Sequence, residues 1–262
     1  MYRLADLELA EGDVADALRH AQQAIDSFRP IQGGYQYLTA AMCELGEILE
    51  AEGNLEGARQ QFQAALDIQE KLGEMDLVAQ SRTELAKLAL QQGHAEQAES
   101  LLRLSIAEFE KEKSDPSLTD AYTLLSRALL VLGKFEDARD AAKHATQVSL
   151  SSFDPALKLS TPIQSARVAL AAVGKHAPTE SVAAARHELR SVLATAHELG
   201  YYLIECETRL ALGELEMKVA PASGRVHLGT LSAETRSRGL ELLALQAEQA
   251  ANITAAIAVA KK

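Results

Sequence analysis

The sequence predicts an all-α protein, folded as an alpha-alpha superhelix of about thirteen helices in antiparallel pairs. Three observations predict this fold. Ala, Leu, Glu and Gln, all good helix formers, dominate the composition, while aromatic residues make up 4 % of the chain and Trp is absent. Runs of β-branched residues are almost absent, which disfavours a sheet. Glycines also recur at a nearly constant spacing along the 262 residues, which indicates one repeated structural unit.

Five glycines define the repeat. Each ends a segment of helical periodicity, and their separations are 41, 40, 40 and 41 residues. Glycine supplies the left-handed residue that ends a helix, and most of these glycines are followed closely by a second amphipathic segment. We therefore expect two helices per repeat, joined at Gly12, Gly53, Gly93, Gly133 and Gly174.

Small residues recur where the two helices of a repeat are expected to cross. Two helices approach to about 8–9 Å only where the side chains are small. On the first helix these residues are Gly46, Ala86 and Ser126, and on the second helix they are Ala58, Ala98 and Ala138. The fifth repeat is degenerate, and Arg167 is predicted to occupy its equivalent of the Gly46 position.

The second repeat carries a pattern that resembles the tetratricopeptide repeat, in an extended variant of about 40 residues. It is formed by Leu45-Gly46, then Gly53, then Ala58, Phe62 and Ala65. The resemblance covers essentially the whole chain and implies a single solenoid domain, 1–262. The repeats are expected at approximately 1–30, 35–72, 74–113, 116–150, 155–198 and 200–237, with a closing helix at 239–262.

The last part of the chain resembles the end of tetratricopeptide regions in bacterial multidomain signalling proteins. The resemblance rests on the segment from Arg209 to Met217 and on Arg238-Gly239-Leu240. In those proteins the repeats follow a serine/threonine kinase domain or a winged-helix DNA-binding domain, and the sequence here contains neither. The resemblance implies a cytoplasmic protein–protein or peptide-binding scaffold. The alternative is a receptor module that binds a small peptide or metabolite in its groove.

Several other functional classes find no support in the sequence. Residues 1–150 hold 26 Asp and Glu against 14 Lys and Arg, and no basic patch stands out, so a nucleic-acid partner is disfavoured. The acidity is typical of a soluble surface, with an acidic docking face as the alternative. No apolar run reaches the length of a membrane span. No catalytic or metal-binding pattern is present, so we expect no enzymatic activity and no cofactor.

The resemblance also implies that the first helix of each repeat lines a concave groove. Projecting these helices gives eight candidate ligand-binding residues: Glu47, Glu50, Thr83, Lys87, Thr123, Arg127, Gln164 and Glu214. Lys87 and Arg127 are equivalent positions one repeat apart, beside Leu90 and Leu130. Two cations there could hold a peptide carboxylate or an acidic side chain. The alternative is that both cations pair with groove acids such as Glu47.

The first helix is short, because few residues precede Gly12. A terminal layer of a solenoid exposes an apolar face unless a polar cap covers it. Leu4, Leu7 and Leu9 provide apolar contacts, and no polar cap sequence precedes them. We therefore expect the N-terminal layer to be a cut or an interface, which self-associates or docks an upstream domain. The last helix, with apolar and charged positions on different faces, is expected to close the other end.

Overall fold

The computed structural model describes residues 2–112, 114–152, 154–172 and 179–259. Within these ranges it contains thirteen helices and no strand, which confirms the predicted fold class. The helices are α1 (Tyr2–Ala10), α2 (Val14–Phe28), α3 (Tyr35–Ala51), α4 (Leu55–Leu72), α5 (Met75–Gln91), α6 (Ala95–Glu112), α7 (Asp115–Val131), α8 (Phe135–Ser149), α9 (Pro155–Ala172), α10 (Thr179–Leu199), α11 (Tyr202–Val219), α12 (Pro221–Ser237) and α13 (Glu241–Val259).

The predicted turn glycines lie between the two helices of each pair. Gly12, Gly53, Gly93 and Gly133 have φ values of 81°, 79°, 82° and 72°, a region that residues with a Cβ rarely adopt. Gly174 lies outside the described residues. The repeating glycine therefore sets the place where the chain reverses direction in the first four helix pairs.

The helices of a pair cross closely at the predicted small residues. A Cβ at Gly46 would lie 2.5 Å from the ring atom Cε1 of Phe62, so α3 and α4 can meet there only because position 46 is glycine. Ser126 of α7 is also at a crossing, and its Oγ donates a hydrogen bond of 2.8 Å to the carbonyl of Ala138. Close pairing thus follows from residues that the sequence repeat already identifies.

The odd-numbered helices face the interior of the superhelix, and the even-numbered helices from α2 to α12 form its outer layer. Each helix packs on the next along the chain, and α7 also packs on α5 and α9. The apolar core lies between the two layers, with Phe62, Leu102, Leu189 and Leu228 fully buried. This arrangement leaves the inner faces of the odd-numbered helices to line a common space.

The superhelix closes on itself. Helix α11 contacts α1, and α13 contacts α3 as well as its neighbours α11 and α12. The side-chain amide of Gln246 on α13 donates a hydrogen bond of 2.9 Å to Gln91 Oε1 on α5. Arg238 lies 4.1 Å above the ring of Tyr202 and donates a hydrogen bond to the carbonyl of Glu11. The last helices therefore join the first three odd-numbered helices around the interior.

This closure corrects the expectation of an open N-terminal layer. Leu9 and Val14 are buried in one apolar cluster with Leu210, Leu240 and other residues of the last helices. The apolar face of the first helix pair is thus covered by the same chain. Leu4 and Leu7 remain exposed, so self-association or an upstream domain at this end stays a prediction.

The helices give no sign of a membrane-spanning segment. Among the described residues, every helix is either too short or too polar to cross a bilayer.

Candidate functional site

The odd-numbered helices, α13 included, enclose an interior channel with two connected chambers. The inner cavity has a volume of about 150 Å³ and is lined by residues of α1, α3, α5, α7, α9, α11 and α13. The outer chamber has a volume of about 660 Å³ and lies toward the C-terminal ends of α7, α9 and α11. Five residues line both chambers and so define their junction: Arg127, Gln164, Arg167, Leu210 and Gln246.

The structure brings most of the sequence-predicted residues to this channel. Six line the inner cavity: Glu47, Glu50, Lys87, Thr123, Arg127 and Gln164. Glu214 lines the outer chamber. Thr83 lines neither, because its side chain is buried and its hydroxyl donates a hydrogen bond of 2.9 Å to the carbonyl of Ala79.

Lys87 already has anionic partners. Its Nζ lies 2.9 Å from Glu50 Oε2 and 3.8 Å from Glu84 Oε2. Burial lowers the pKa of the ammonium, but the charges of Glu50, Glu84 and Glu47 outweigh this effect and raise the pKa above its usual value. For Lys87 the structure therefore agrees with the simpler interpretation, in which a groove cation pairs with groove acids.

The carboxylates around Lys87 outnumber it. Burial, reinforced by the charge of Glu84, raises the pKa of Glu47 well above its ordinary value. Burial also raises the pKa of Glu84, and Lys87 offsets part of that effect. The pKa of Glu44 rises to about 8, because of burial first and then the nearby charges of Asp6 and Glu84. This end of the channel therefore gathers several carboxyl groups, which hold their protons more readily than usual, around one ammonium group.

Arg127 differs from Lys87, although it occupies the equivalent position one repeat later. It is partly buried, and none of the described residues forms an ion pair or a hydrogen bond with its guanidinium. Burial lowers the pKa of Arg127 and the positive charge of Arg167 adds to the effect, while the charges of Glu207, Glu50 and Glu214 oppose it. An arginine does not lose its proton at neutral pH, so the channel holds a cation that forms no direct ion pair with the described residues, with these three carboxylates acting on it only from a distance.

Arg167 lies at the channel junction, which corrects the sequence alignment of the fifth repeat. The small residue at the helix crossing there is Ala166, which is 2 % exposed, and Arg167 takes the position equivalent to Arg127. Its Nε donates a hydrogen bond of 2.9 Å to Glu214 Oε2 on α11. The charge of Arg167 is therefore neutralised by Glu214, whereas the nearby Arg127 forms no ion pair with the described residues.

Gln164 contributes an unused acceptor to the same place. It is 3 % exposed, and its amide nitrogen donates a hydrogen bond of 3.3 Å to Ser126 Oγ. Its carbonyl oxygen Oε1 is buried and accepts no hydrogen bond from the described residues. Because nearly all buried polar atoms in proteins have partners, this atom points to a donor that enters the channel.

The repeat pattern and the fold together match a known family. The family described as the MalT-like TPR region matches residues 1–203. The chain belongs to this TPR family. A search of the curated proteins found no match.

Solved TPR structures share the fold at low sequence identity. The Rap conjugation gene regulator of plasmid pLS20, solved with the Phr peptide, is 17 % identical with a TM-score of 0.64. The match covers 97 % of this chain and 62 % of that regulator. BtubC (BKLC) from P. vanneervenii is 17 % identical, with coverages of 93 % and 92 % and a TM-score of 0.55. TPR-like repeats of a kinesin light chain-like protein from Podosopora anserina are 19 % identical, with coverages of 74 % and 94 % and a TM-score of 0.52.

Some residues of the TPR channel were not predicted. Arg167 could have been found by a shift of 40 residues from Arg127, instead of the 41 that the glycines indicated. Gln246 and Leu243 of α13 line the inner cavity, and no signal in the repeat pattern shows that the last helix turns inward. Leu90 and Leu130, expected beside the two cations, both pack against the core around α7, and of the two Leu130 also lines the outer chamber.

The described part of the TPR channel offers no metal centre. No group of three or more His, Cys, Asp or Glu among the described residues is placed to hold a metal ion.

Proposed function

We propose that this chain is a peptide-binding module of a larger bacterial signalling protein, and that it holds an acidic peptide in its interior channel. The proposal rests on the guanidinium of Arg127, which lines both chambers and forms no ion pair with the described residues. The general role of a protein-interaction repeat is consistent with the family and the fold. The proposal adds the kind of ligand and the working surface.

A carboxylate is the natural partner for Arg127. The planar guanidinium donates two parallel hydrogen bonds to a carboxylate, and such pairs are among the strongest hydrogen bonds in proteins. The adjoining chamber of about 660 Å³ lies within the range of small-ligand sites. Its wall is partly apolar, with Leu130, Leu170 and Leu210, so it can also bury the apolar part of a peptide.

The shape of the interior favours the receptor alternative over a broad docking strip. A scaffold for a large partner needs an open groove, whereas α11 and α13 here approach α1 and α3 and enclose the space. The Rap regulator, a protein of similar fold, was solved with a peptide. That precedent supports a peptide as the ligand, and a metabolite with a carboxylate is the outcome to be distinguished.

Affinity selection from a synthetic pool of random hexapeptides tests the proposal. The chain is incubated with the pool, and retained peptides are identified by mass spectrometry. We expect the retained peptides to be enriched in Asp, Glu or a free C-terminal carboxylate. The variant Arg127→Gln should retain them about tenfold less well, because one charge-assisted pair is lost.

The matched control is Arg225→Gln, because Arg225 is exposed on the outer helix α12. This variant should retain the same peptides as the unchanged chain. Added salt should weaken binding at Arg127. Equal retention by Arg127→Gln and Arg225→Gln would refute the proposed site. Retention of small dicarboxylates without any peptide would assign the channel to a metabolite.

A further inference from the structure

The inner end of the channel has a chemistry opposite to that of Arg127. Glu47, Glu50 and Lys87 line the inner cavity but not the outer chamber. Glu44 and Glu84 lie beside them on α3 and α5. The charges of three carboxyl groups, those of Glu47, Glu50 and Glu84, thus act on one ammonium group, and the charge of this cluster is negative whenever more than one of the three is ionised.

Glu50 is the most buried member of the cluster. It is 2 % exposed, and its side chain belongs to the wall of the inner cavity. Its Oε1 has no hydrogen-bond partner among the described residues, and Oε2 meets only the ammonium of Lys87 as an ion pair. A buried carboxylate oxygen without a donor is costly, so the site is built for a donor that the described residues do not supply.

Gln164 provides an independent observation of the same kind. Its buried Oε1 is also an acceptor without a donor, and it lies at the junction between the two chambers. The channel therefore presents a buried carboxylate at its inner end, and an amide acceptor together with the unpaired guanidinium of Arg127 at the junction of the two chambers. A peptide with a free amino end carries the complementary groups: an ammonium, a backbone N–H and a carboxylate.

We propose that the inner cavity binds the N-terminal ammonium group of the peptide, so that the peptide enters the channel amino end first. This inference rests on the proposed peptide-binding function and adds the direction and the terminal group. The ammonium donates to Glu50, a backbone N–H near the amino end donates to Gln164 Oε1, and an acidic group further along the peptide meets Arg127. The inner cavity of about 150 Å³ has room for one terminal residue but not for a folded segment.

Acetylation of the peptides tests the direction. Two hexapeptide pools of the same composition, one with free amino ends and one N-acetylated, are presented to the full chain. We expect members of the free pool to be retained at least about tenfold better, because acetylation removes the charge and the donors that Glu50 requires. The variant Glu50→Gln should lose this preference while Arg127 still selects acidic peptides. Glu96→Gln, a change on the outer helix α6, should keep the preference.

The outcomes distinguish a failure of the amino-end inference from a failure of the peptide-binding proposal on which it rests. Equal retention of both pools would overturn the amino-end inference and leave the peptide-binding proposal standing. Retention of acetylated peptides only when they contain lysine would assign the ammonium to a side chain and overturn the inference as well. Retention of neither pool would overturn both proposals. If Glu50→Gln fails to fold by circular dichroism, Glu50→Asp provides the test, because it keeps the charge beside Lys87 but withdraws the carboxylate from the cavity by one methylene group. It should weaken the preference for free amino ends, and an unchanged preference would overturn the inference.

Discussion

Arg127 and Lys87 occupy equivalent positions one repeat apart, yet the structure predicts opposite effects when each is replaced by methionine. Met matches Arg and Lys in helix propensity and in the length of its apolar stem, so the substitution removes mainly the charged group. Arg127 has no anionic partner among the described residues, whereas Lys87 lies 2.9 Å from the buried Glu50. The difference between the two variants therefore measures the effect of the counter-ion.

The magnitudes follow from the cost of buried charge. Taking an ion completely out of water costs several kcal/mol, and Arg127 bears only part of this cost because it is partly buried. We expect Arg127→Met to raise the free energy of unfolding by about 1–2 kcal/mol, which is about 2–8 °C in Tm for a chain of this size. Lys87→Met leaves Glu50 buried without a cation and should lower the free energy of unfolding by about 3 kcal/mol.

Urea unfolding at neutral pH, followed by far-UV circular dichroism, measures both changes. The stabilised Arg127→Met variant should also bind acidic peptides less well, because the unchanged protein keeps the Arg127 guanidinium for binding at the expense of stability. A destabilisation of Arg127→Met by more than about 1 kcal/mol would show that the guanidinium has a stabilising partner in the free protein. The argument for an anion-binding site would then fail.

Three further predictions concern packing, pH and closure. Ala98 is fully buried, and Ala98→Leu should lower the free energy of unfolding by roughly 1–3 kcal/mol in urea; a value equal to that of the unchanged chain would show that the crossing is not close. The pKa of Glu44 is raised from 4.5 to about 8, so the folded state holds its proton more tightly and stability should fall as pH rises from about 4.5 to 8. Glu44→Gln should reduce that fall in a series of thermal melts, and an unchanged slope would contradict the shift. A Cβ at Gly12 would lie 2.5 Å from Tyr202 Cδ1, whereas at Gly93, with nearly the same φ, it would meet nothing within 4 Å. Gly12→Ala should therefore be less stable to urea than Gly93→Ala by about 1 kcal/mol. Equal losses would mean that the turn after α1 does not pack closely against Tyr202 of α11.

The fold could be predicted from the sequence because its determinants are local. Gly53 and Gly93 set the reversals, and Gly46 with Phe62 sets a close crossing within one helix pair. Each repeat buries its apolar face mainly against its neighbours in the chain, so a pattern that recurs every 40 residues carries most of the information. For the same reason, six of the eight candidate residues projected from the sequence lie on the wall of the inner cavity.

Only the tertiary structure decided what those residues meet. Whether Lys87 or Arg127 finds a carboxylate depends on how far each helix turns relative to the next, and such small rotations accumulate along a solenoid without a signal in the sequence. The same accumulated curvature brings α13 to α3 and lets Gln246 reach Gln91, 155 residues away. The sequence alone therefore determined a stack of helix pairs with charged inner faces. The closure of that stack then determined which of the inner charges are neutralised and which remain available for a ligand.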